Sequence, residues 1–186
     1  MEDMFGDLPT LETDRLLLRK LDLGDAEDIF EYARDPEVAR YVLWEAHRSI
    51  EDSQSFINWV LEQYKKGQVS PWGIVHEADE KLIGTCGFVG WFPECARAEV
   101  GYALAKKYWG KGYMSEAVRA VITFGFREMR LNRIEATCDL KNLASARVME
   151  EVGMKFEGVL RGYILLKGAS CDQKMYSLLR SEFAPG

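Results

Sequence analysis

The chain has 186 residues, 47% of them hydrophobic, which is enough for one buried core and falls within the size of a single domain. A net charge of −6 argues against a nucleic-acid partner, which needs a basic face, and no run approaches the roughly 18 apolar residues of a membrane span. Four cysteines without a CxxC pair and two histidines outside any ligand motif argue against zinc and disulfides. The acidic start, MEDMFGDLPTLETDR, is unlike a secretory signal, so the expected compartment is the cytoplasm.

In chain order, Arg15–Leu21 (RLLLRKL) reads as a strand and Asp25–Arg34 as a helix with Pro36 just beyond its end. Ser49, with Asp52 three residues later, reads as the capping signal of a helix running to about Lys66, where Gly67 stops it. Trp59 falls inside that amphipathic pattern and is expected in the core. Trp72–His76 and Leu82–Phe88 predict a hairpin across the polar EADEK turn, and Ala98–Leu104 (AEVGYAL) predicts another strand. Ala117, Val121, Phe124 and Gly125 recur at helical spacing, which predicts a helix over Ser115–Met129 with one buried face. Arg133–Asp139 (RIEATCD) reads as a strand, Ser145–Glu151 as a short helix ended by Gly153, and Phe156–Arg161 and Lys174–Leu179 as closing strands. This order predicts an α/β (α+β) fold around a partly antiparallel sheet.

From just after the Ala98–Leu104 strand into the first turn of the Ser115 helix runs KKYWGKGYMSEAV, Lys106–Val118. A helix N-terminus carries unpaired N–H groups and about half a positive charge, so it binds anions where the preceding chain can come close. Gly110 and Gly112 allow that approach, and Lys106, Lys107 and Lys111 add charge, so a phosphate is expected here. A glycine-bearing turn with solvated lysines is the plainer alternative. The Walker loop and the dinucleotide fingerprint do not fit, because both need further residues at fixed offsets, and Ser115 stands at the place after GKGYM.

With its context, AEVGYALAKKYWGKGYMSEAV resembles the acetyl-CoA motif of the GNAT N-acetyltransferases, in which a strand leads into a Q/R-x-x-G-x-G/A loop whose amides hold the CoA pyrophosphate. NLASARVMEEVGMKFEGVLR, Asn142–Arg161, is similar to the N-x-x-S…G-F-x-x-E-G segment of that family, and TDRLLLRKLDLGDAEDIFEY resembles the opening of its ribosomal-protein N-terminal (RimJ/RimL-like) branch. The resemblance runs from about Thr13 to Phe183. It implies a GNAT fold, with a central mixed, mostly antiparallel sheet of six to seven strands flanked by about four helices. It further implies acetyl-CoA as cosubstrate, no metal, and a monomer or homodimer. Cofactor contacts are implied for Tyr102, Ala103 and Leu104 on the strand, for Lys107, Trp109, Gly110, Lys111, Gly112, Tyr113, Met114 and Ser115 in the loop and helix start, and for Asn142. Three departures stand out. Lys107 occupies the usual Gln/Arg place and loses the planar fork, Met154 replaces the Phe after Gly153, and Ile164 stands about where some members of the branch carry a Glu proposed as the base.

Acetyl transfer needs an unprotonated amine, donors for a developing oxyanion and a proton for the departing thiolate. The resemblance assigns the oxyanion contact to backbone in a strand that splays from its neighbour at Val100–Leu104. Glu99 at the start of that strand is the candidate base, on the face opposite Val100, with an edge carboxylate in an ion pair as the alternative reading. Ser145 is the candidate acid and Tyr163 a second one, although Asn142 and Ser145 are also good helix caps. Glu116 is most simply dipole compensation. Trp44, Trp91 and Phe92 fall in expected loops and are placed near the acceptor. The expected acceptor is a primary amine, foremost a protein or peptide N-terminus. A polyamine or small-molecule amine is the alternative, and a non-catalytic acetyl-CoA sensor a further one.

Overall fold

The computed structural model describes residues 5–184, so the first four residues of the acidic start and the last two of the chain fall outside it. The N-terminal strand is shorter than predicted and has a two-residue partner: β1 (Leu11–Glu12) and β2 (Leu16–Arg19) form a tight hairpin. Helix α1 (Ala26–Ala33) follows a 3-10 turn capped by Asp22. Helix α2 (Ile50–Lys65) begins at the predicted capping box, with the Asp52 carboxylate accepting from the N–H groups of Arg48 at 2.7 Å and Ser49 at 3.2 Å. Its buried face is Ser53, Ile57, Val60 and Tyr64. Trp59, expected in the core, is instead 55% exposed, because 3.6-residue periodicity puts it on the far side of the helix, stacked on Phe56 at 6.4 Å.

Strands β3 (Pro71–His76) and β4 (Lys81–Phe92) make the predicted hairpin, and β4 runs four residues beyond Phe88. Strand β5 (Arg97–Leu104) leads through the glycine loop into α3 (Tyr113–Arg127), which starts at Tyr113 rather than Ser115 because Gly112 itself serves as the N-cap. Then follow β6 (Arg133–Asp139), α4 (Leu143–Glu151), β7 (Lys155–Leu166) and β8 (Ala169–Leu179). The last two are longer than their sequence signal, since β7 continues through a register break between Leu160 and Ile164. There the Gly162 N–H donates to Asp172 Oδ1 at 2.8 Å.

Among the described residues the strands form one sheet of eight, ordered β1-β2-β3-β4-β5-β6-β8-β7, every pair antiparallel except β5 with β6. The expected six to seven strands become eight through the short β1. Helices α3 and α4 cover one face, where Trp72 meets Phe124 edge to face at 5.4 Å, and α1 and α2 cover the other with their buried Ile29 and Ile57. Trp72, Phe88, Val121 and Ile122 are essentially fully buried, each contributing about 1.5–3 kcal/mol of transfer free energy.

An ion network ties the β6–β8–β7 side together. Arg133 holds both oxygens of Glu157 at 2.7 Å and Glu135 Oε2 at 2.7 Å, and Ser177 Oγ donates to Glu157 at 2.6 Å. The Arg133 and Ser177 hydrogen bonds hold the Glu157 carboxyl down at about 2. A depressed carboxylate stabilises the fold above its unfolded value and loses that contribution as pH falls through the folded one. Thermal unfolding across pH should therefore show Glu157→Gln less stable than the wild type at neutral pH, with the gap closing between about pH 4.5 and about 2. A gap independent of pH would mean that Glu157 acts through shape alone.

Candidate active site

The parallel ladder between β5 and β6 is short. It joins Arg97 to Arg133, Ala98 to Ile134 and Glu99 to Glu135, and ends there. Beyond that point Val100–Leu104 of β5 and Ala136–Asp139 of β6 run on without pairing to each other. Strand β4 engages alternate residues of β5, so every second residue along Val100–Leu104 turns its N–H and C=O into the gap. The sheet is thus forked in its middle, and the fork offers backbone donors and acceptors to an extended ligand. A bulge at Val89 on β4 marks the same level, since Phe88 faces Val100 and Gly90 faces Glu99.

Glu99 is the last paired residue before the fork, partly buried, on the face opposite Val100. Its Oε1 accepts from Thr137 Oγ1 at 3.1 Å, and its Oε2 accepts from no other group among the described residues. Burial pushes the Glu99 carboxyl up, the Thr137 hydrogen bond partly offsets this, and the nearby Glu135 charge adds to the rise. Glu135 itself is buried with Arg97 on one oxygen and Arg133 on the other, so both of its oxygens are engaged by cations. The plainer reading of Glu99 as an ion-paired edge carboxylate finds no partner cation at bonding distance among the described residues.

On the opposite face of the fork, Tyr102 Oη lies 3.0 Å from Ser145 Oγ and 3.2 Å from Ser145 O, and burial pushes its phenol up. Asn142 is the N-cap of α4, accepting from the Ser145 N–H at 3.1 Å, so the capping alternative describes what its Oδ1 does here. Tyr163 lies instead on the Glu99 side, where burial, followed by the charges of Glu99 and Glu135, pushes its phenol up.

The glycine loop is built for close approach. Gly110 has φ +71° and Gly112 φ +79°, a region L side chains rarely adopt, and a Cβ at Gly110 would meet nothing within 4 Å. The N–H groups of Gly110 through Ser115 donate to no acceptor among the described residues, since the first bond of α3 runs from Glu116 N to Gly112 O. Trp109 closes the loop onto β5 by donating its indole N–H to the Leu104 carbonyl at 2.7 Å. Lys107 and Lys111 hold their ammonium groups over the Tyr108 ring at 5.4 and 5.6 Å, whereas Lys106 is drawn to Glu37 at 2.9 Å.

Other residues occupy places the sequence does not reveal. Glu116 does more than offset the helix dipole: it accepts from Thr13 Oγ1 at 2.6 Å, Arg15 N at 2.9 Å and Arg15 Nε at 2.7 Å, clamping the β1–β2 hairpin to α3. Burial works to raise the Glu116 carboxyl, but these bonds win and hold it below the usual range. Trp91 and Phe92 lie in β4 rather than in a loop, and strand alternation separates them. Trp91 packs on Phe5 at 5.5 Å, while Phe92 shares the Arg97 and Glu99 face with the Arg97 guanidinium 4.0 Å above its ring. Trp44 does lie in a loop, tilted against His47 at 5.6 Å. Thr137 is the residue the sequence gives least sign of, because its partner Glu99 is 38 positions away.

Among the described residues no helix is long and apolar enough to cross a membrane, and no three His, Cys, Asp or Glu side chains gather as metal ligands. The sequence model of the acetyltransferase (GNAT) domain matches residues 15–155. An uncharacterized N-acetyltransferase of Bacillus licheniformis, p20, is 38% identical over 95% of this chain and 99% of its own length. The [ribosomal protein uS5]-alanine N-acetyltransferase of Escherichia coli is 28% identical over 95% of this chain and 93% of its own. A crystal structure of a GNAT-family acetyltransferase from Bacillus anthracis superposes with a TM-score of 0.83 at 32% identity, covering 94% of this chain and all of the other.

Proposed function

Because the chain belongs to the GNAT acetyltransferases, an acetyl-transferring family whose members similar to it include ribosomal-protein acetyltransferases, we propose that it moves acetyl from acetyl-CoA to the N-terminal α-amine of a protein. The observation that carries this reading is the fork at Glu99 and Glu135, which leaves one carboxylate oxygen at the apex of a backbone-lined slot. In this reading the pantetheine arm lies along Val100–Leu104 and the diphosphate on the amides of Gly110–Ser115, with Lys107 and Lys111 nearby. One acetyltransferase domain spans about residues 13–183, and four free thiols suit a reducing cytoplasm.

Each residue then has one task. Glu99 Oε2 collects the amine proton directly or through one water, with Thr137 fixing the carboxylate. The amine nitrogen attacks the thioester carbon while β5 amides hold the oxyanion, and the C–S bond breaks. The departing thiolate takes a proton from Ser145 Oγ, which Tyr102 orients, with Tyr163 as the alternative donor on the other face.

The acceptor follows from proton chemistry. An α-amine near pKa 7.7–8.0 is already about a tenth neutral at pH 7, whereas an amine near 10.4 leaves only about one molecule in a few thousand neutral. A single carboxylate at the apex, with Ile164 offering none, suits the less basic amine. The net charge of −6 favours basic partners through attraction that salt screens. A basic peptide beginning with Ala or Ser should therefore show higher kcat/KM than spermidine at matched pH and ionic strength, with the product confirmed by mass spectrometry. Preference for spermidine would promote the polyamine reading, and tight acetyl-CoA binding without CoA release on a broad amine panel would promote the sensor.

A further inference from the structure

Two tyrosines bracket the glycine loop, Tyr108 before it and Tyr113 after it, and one buried imidazole stands between them. His76, the last residue of β3, has its Nε2 3.0 Å from Tyr113 Oη, with ring centroids 4.8 Å apart. Its ring lies 5.4 Å from that of Tyr108. On its other side His76 Nδ1 lies 3.2 Å from Asp79 Oδ2, outside good hydrogen-bond geometry, and the same Asp79 oxygen accepts from Tyr108 Oη at 2.6 Å. That hydrogen bond holds the Asp79 carboxyl below its usual range. A carboxylate beside Nδ1 favours the proton on that nitrogen and leaves Nε2 to accept from Tyr113. Arg15 completes the frame: its guanidinium sits 4.4 Å over the Tyr113 ring while Nη1 donates to the Lys111 carbonyl at 3.1 Å.

We propose that His76 is a positioning residue for the phosphate loop, fixing Tyr113 by a hydrogen bond and packing against the Tyr108 ring, so that the amides of Gly110–Ser115 stay turned toward one anion. This rests on the reading of that loop as the seat of the CoA diphosphate. The physical need is plain. Two left-handed glycines give the loop many conformations, and a site made of backbone amides is only as strong as its preorganisation. The loop has no side-chain cap of its own at Gly112, so its order must come from outside. The polar contacts of the frame come from the β1–β2 turn, the end of β3 and the turn after β3, which lie 29 or more positions from the residues they hold.

His76→Phe keeps an aromatic ring and removes both nitrogens. Titration calorimetry should show the CoA Kd rising by about tenfold, the scale of one lost buried hydrogen bond. The KM for S-acetyl-pantetheine, which carries the thioester and no diphosphate, should stay within about twofold. Tyr113→Phe, which deletes one hydroxyl and threatens folding little, should repeat the loss on CoA alone. His76→Gln, whose amide can reach Tyr113, should recover part of it. Unchanged CoA affinity in both His76→Phe and Tyr113→Phe overturns the proposal, as does an equal loss on both donors, because the imidazole would then support the fold at large. A wild-type protein that bound no CoA would overturn the functional reading itself, and the positioning role with it.

Discussion

Gly112→Val is expected to weaken CoA binding by about a hundredfold or more, equivalent to about 2.7 kcal/mol, while the protein remains folded. Gly112 sits at φ +79° as the N-cap of α3, and the left-handed region costs an L residue about 1–2 kcal/mol, more when it is β-branched. The chain would relieve that strain by rotating the peptide planes on either side, which are the ones whose N–H groups face the proposed anion. The new side chain adds a second obstacle. A Cβ at Gly112 comes within 3.5 Å of Arg15 Nη2, and valine's branches would push on the guanidinium that steadies Tyr113. Titration calorimetry with CoA, alongside a thermal melt, measures this directly. Lys111→Ala, which removes one exposed charge, should cost far less. Wild-type affinity in Gly112→Val would remove the loop from the cofactor site.

Glu99→Gln is expected to lower kcat by about a hundredfold or more with the CoA Kd almost unchanged, the usual scale for a positioned base. Glutamine keeps the shape and the contact with Thr137 but cannot take a proton. The pH profile gives an independent check on the same residue. Only the ionised Glu99 can act, so turnover should fall as pH drops through its pKa. Because burial, reinforced by Glu135, raises that value, the acid limb of kcat/KM should lie above the ordinary glutamate range. The part of the limb due to Glu99 should vanish in the variant, leaving the fall set by protonation of the acceptor amine. Unchanged turnover, with or without a lower Tm, would leave Glu99 as a structural carboxylate.

The parts of the molecule that were legible in the sequence are those governed by local rules. Strand β6 has its predicted bounds, and the Ser49–Asp52 box starts α2 as expected, since alternation and capping involve neighbours only. Trp59 went astray for a related reason. The pattern of α2 fixes that one face is buried, but Ile57, Val60 and Tyr64 claim that face and leave tryptophan outside. Strand β7 outran its signal because the break at Arg161–Tyr163 interrupts the alternation that would announce it. In the site, Glu99 and the glycines could be picked out by their residue types on a strand and a loop. Thr137, His76 and Arg15 could not, because each matters through a partner dozens of positions away and none belongs to a recognisable spacing. Glu116 shows the limit most clearly: its dipole role is local and readable, whereas its clamp on Thr13 and Arg15 exists only once β2 lies beside α3.

The fork also bears on how this protein escapes the usual hazard of strand recognition. A site that binds by adding a strand needs unpaired backbone, and unpaired backbone on a sheet's rim invites other chains to stack and aggregate. Here the open edges of β5 and β6 face each other in the interior of the sheet, with the Tyr102–Ser145 contact spanning one face. The true rims are a two-residue β1 at one side and, at the other, a β7 broken by its bulge and studded with Lys155, Glu157 and Arg161. In the proposed reading the gap receives one slender arm, the pantetheine, as an extra strand. The unpaired backbone assigned to the proposed ligand thus lies away from the rims, and the rims themselves are blunted.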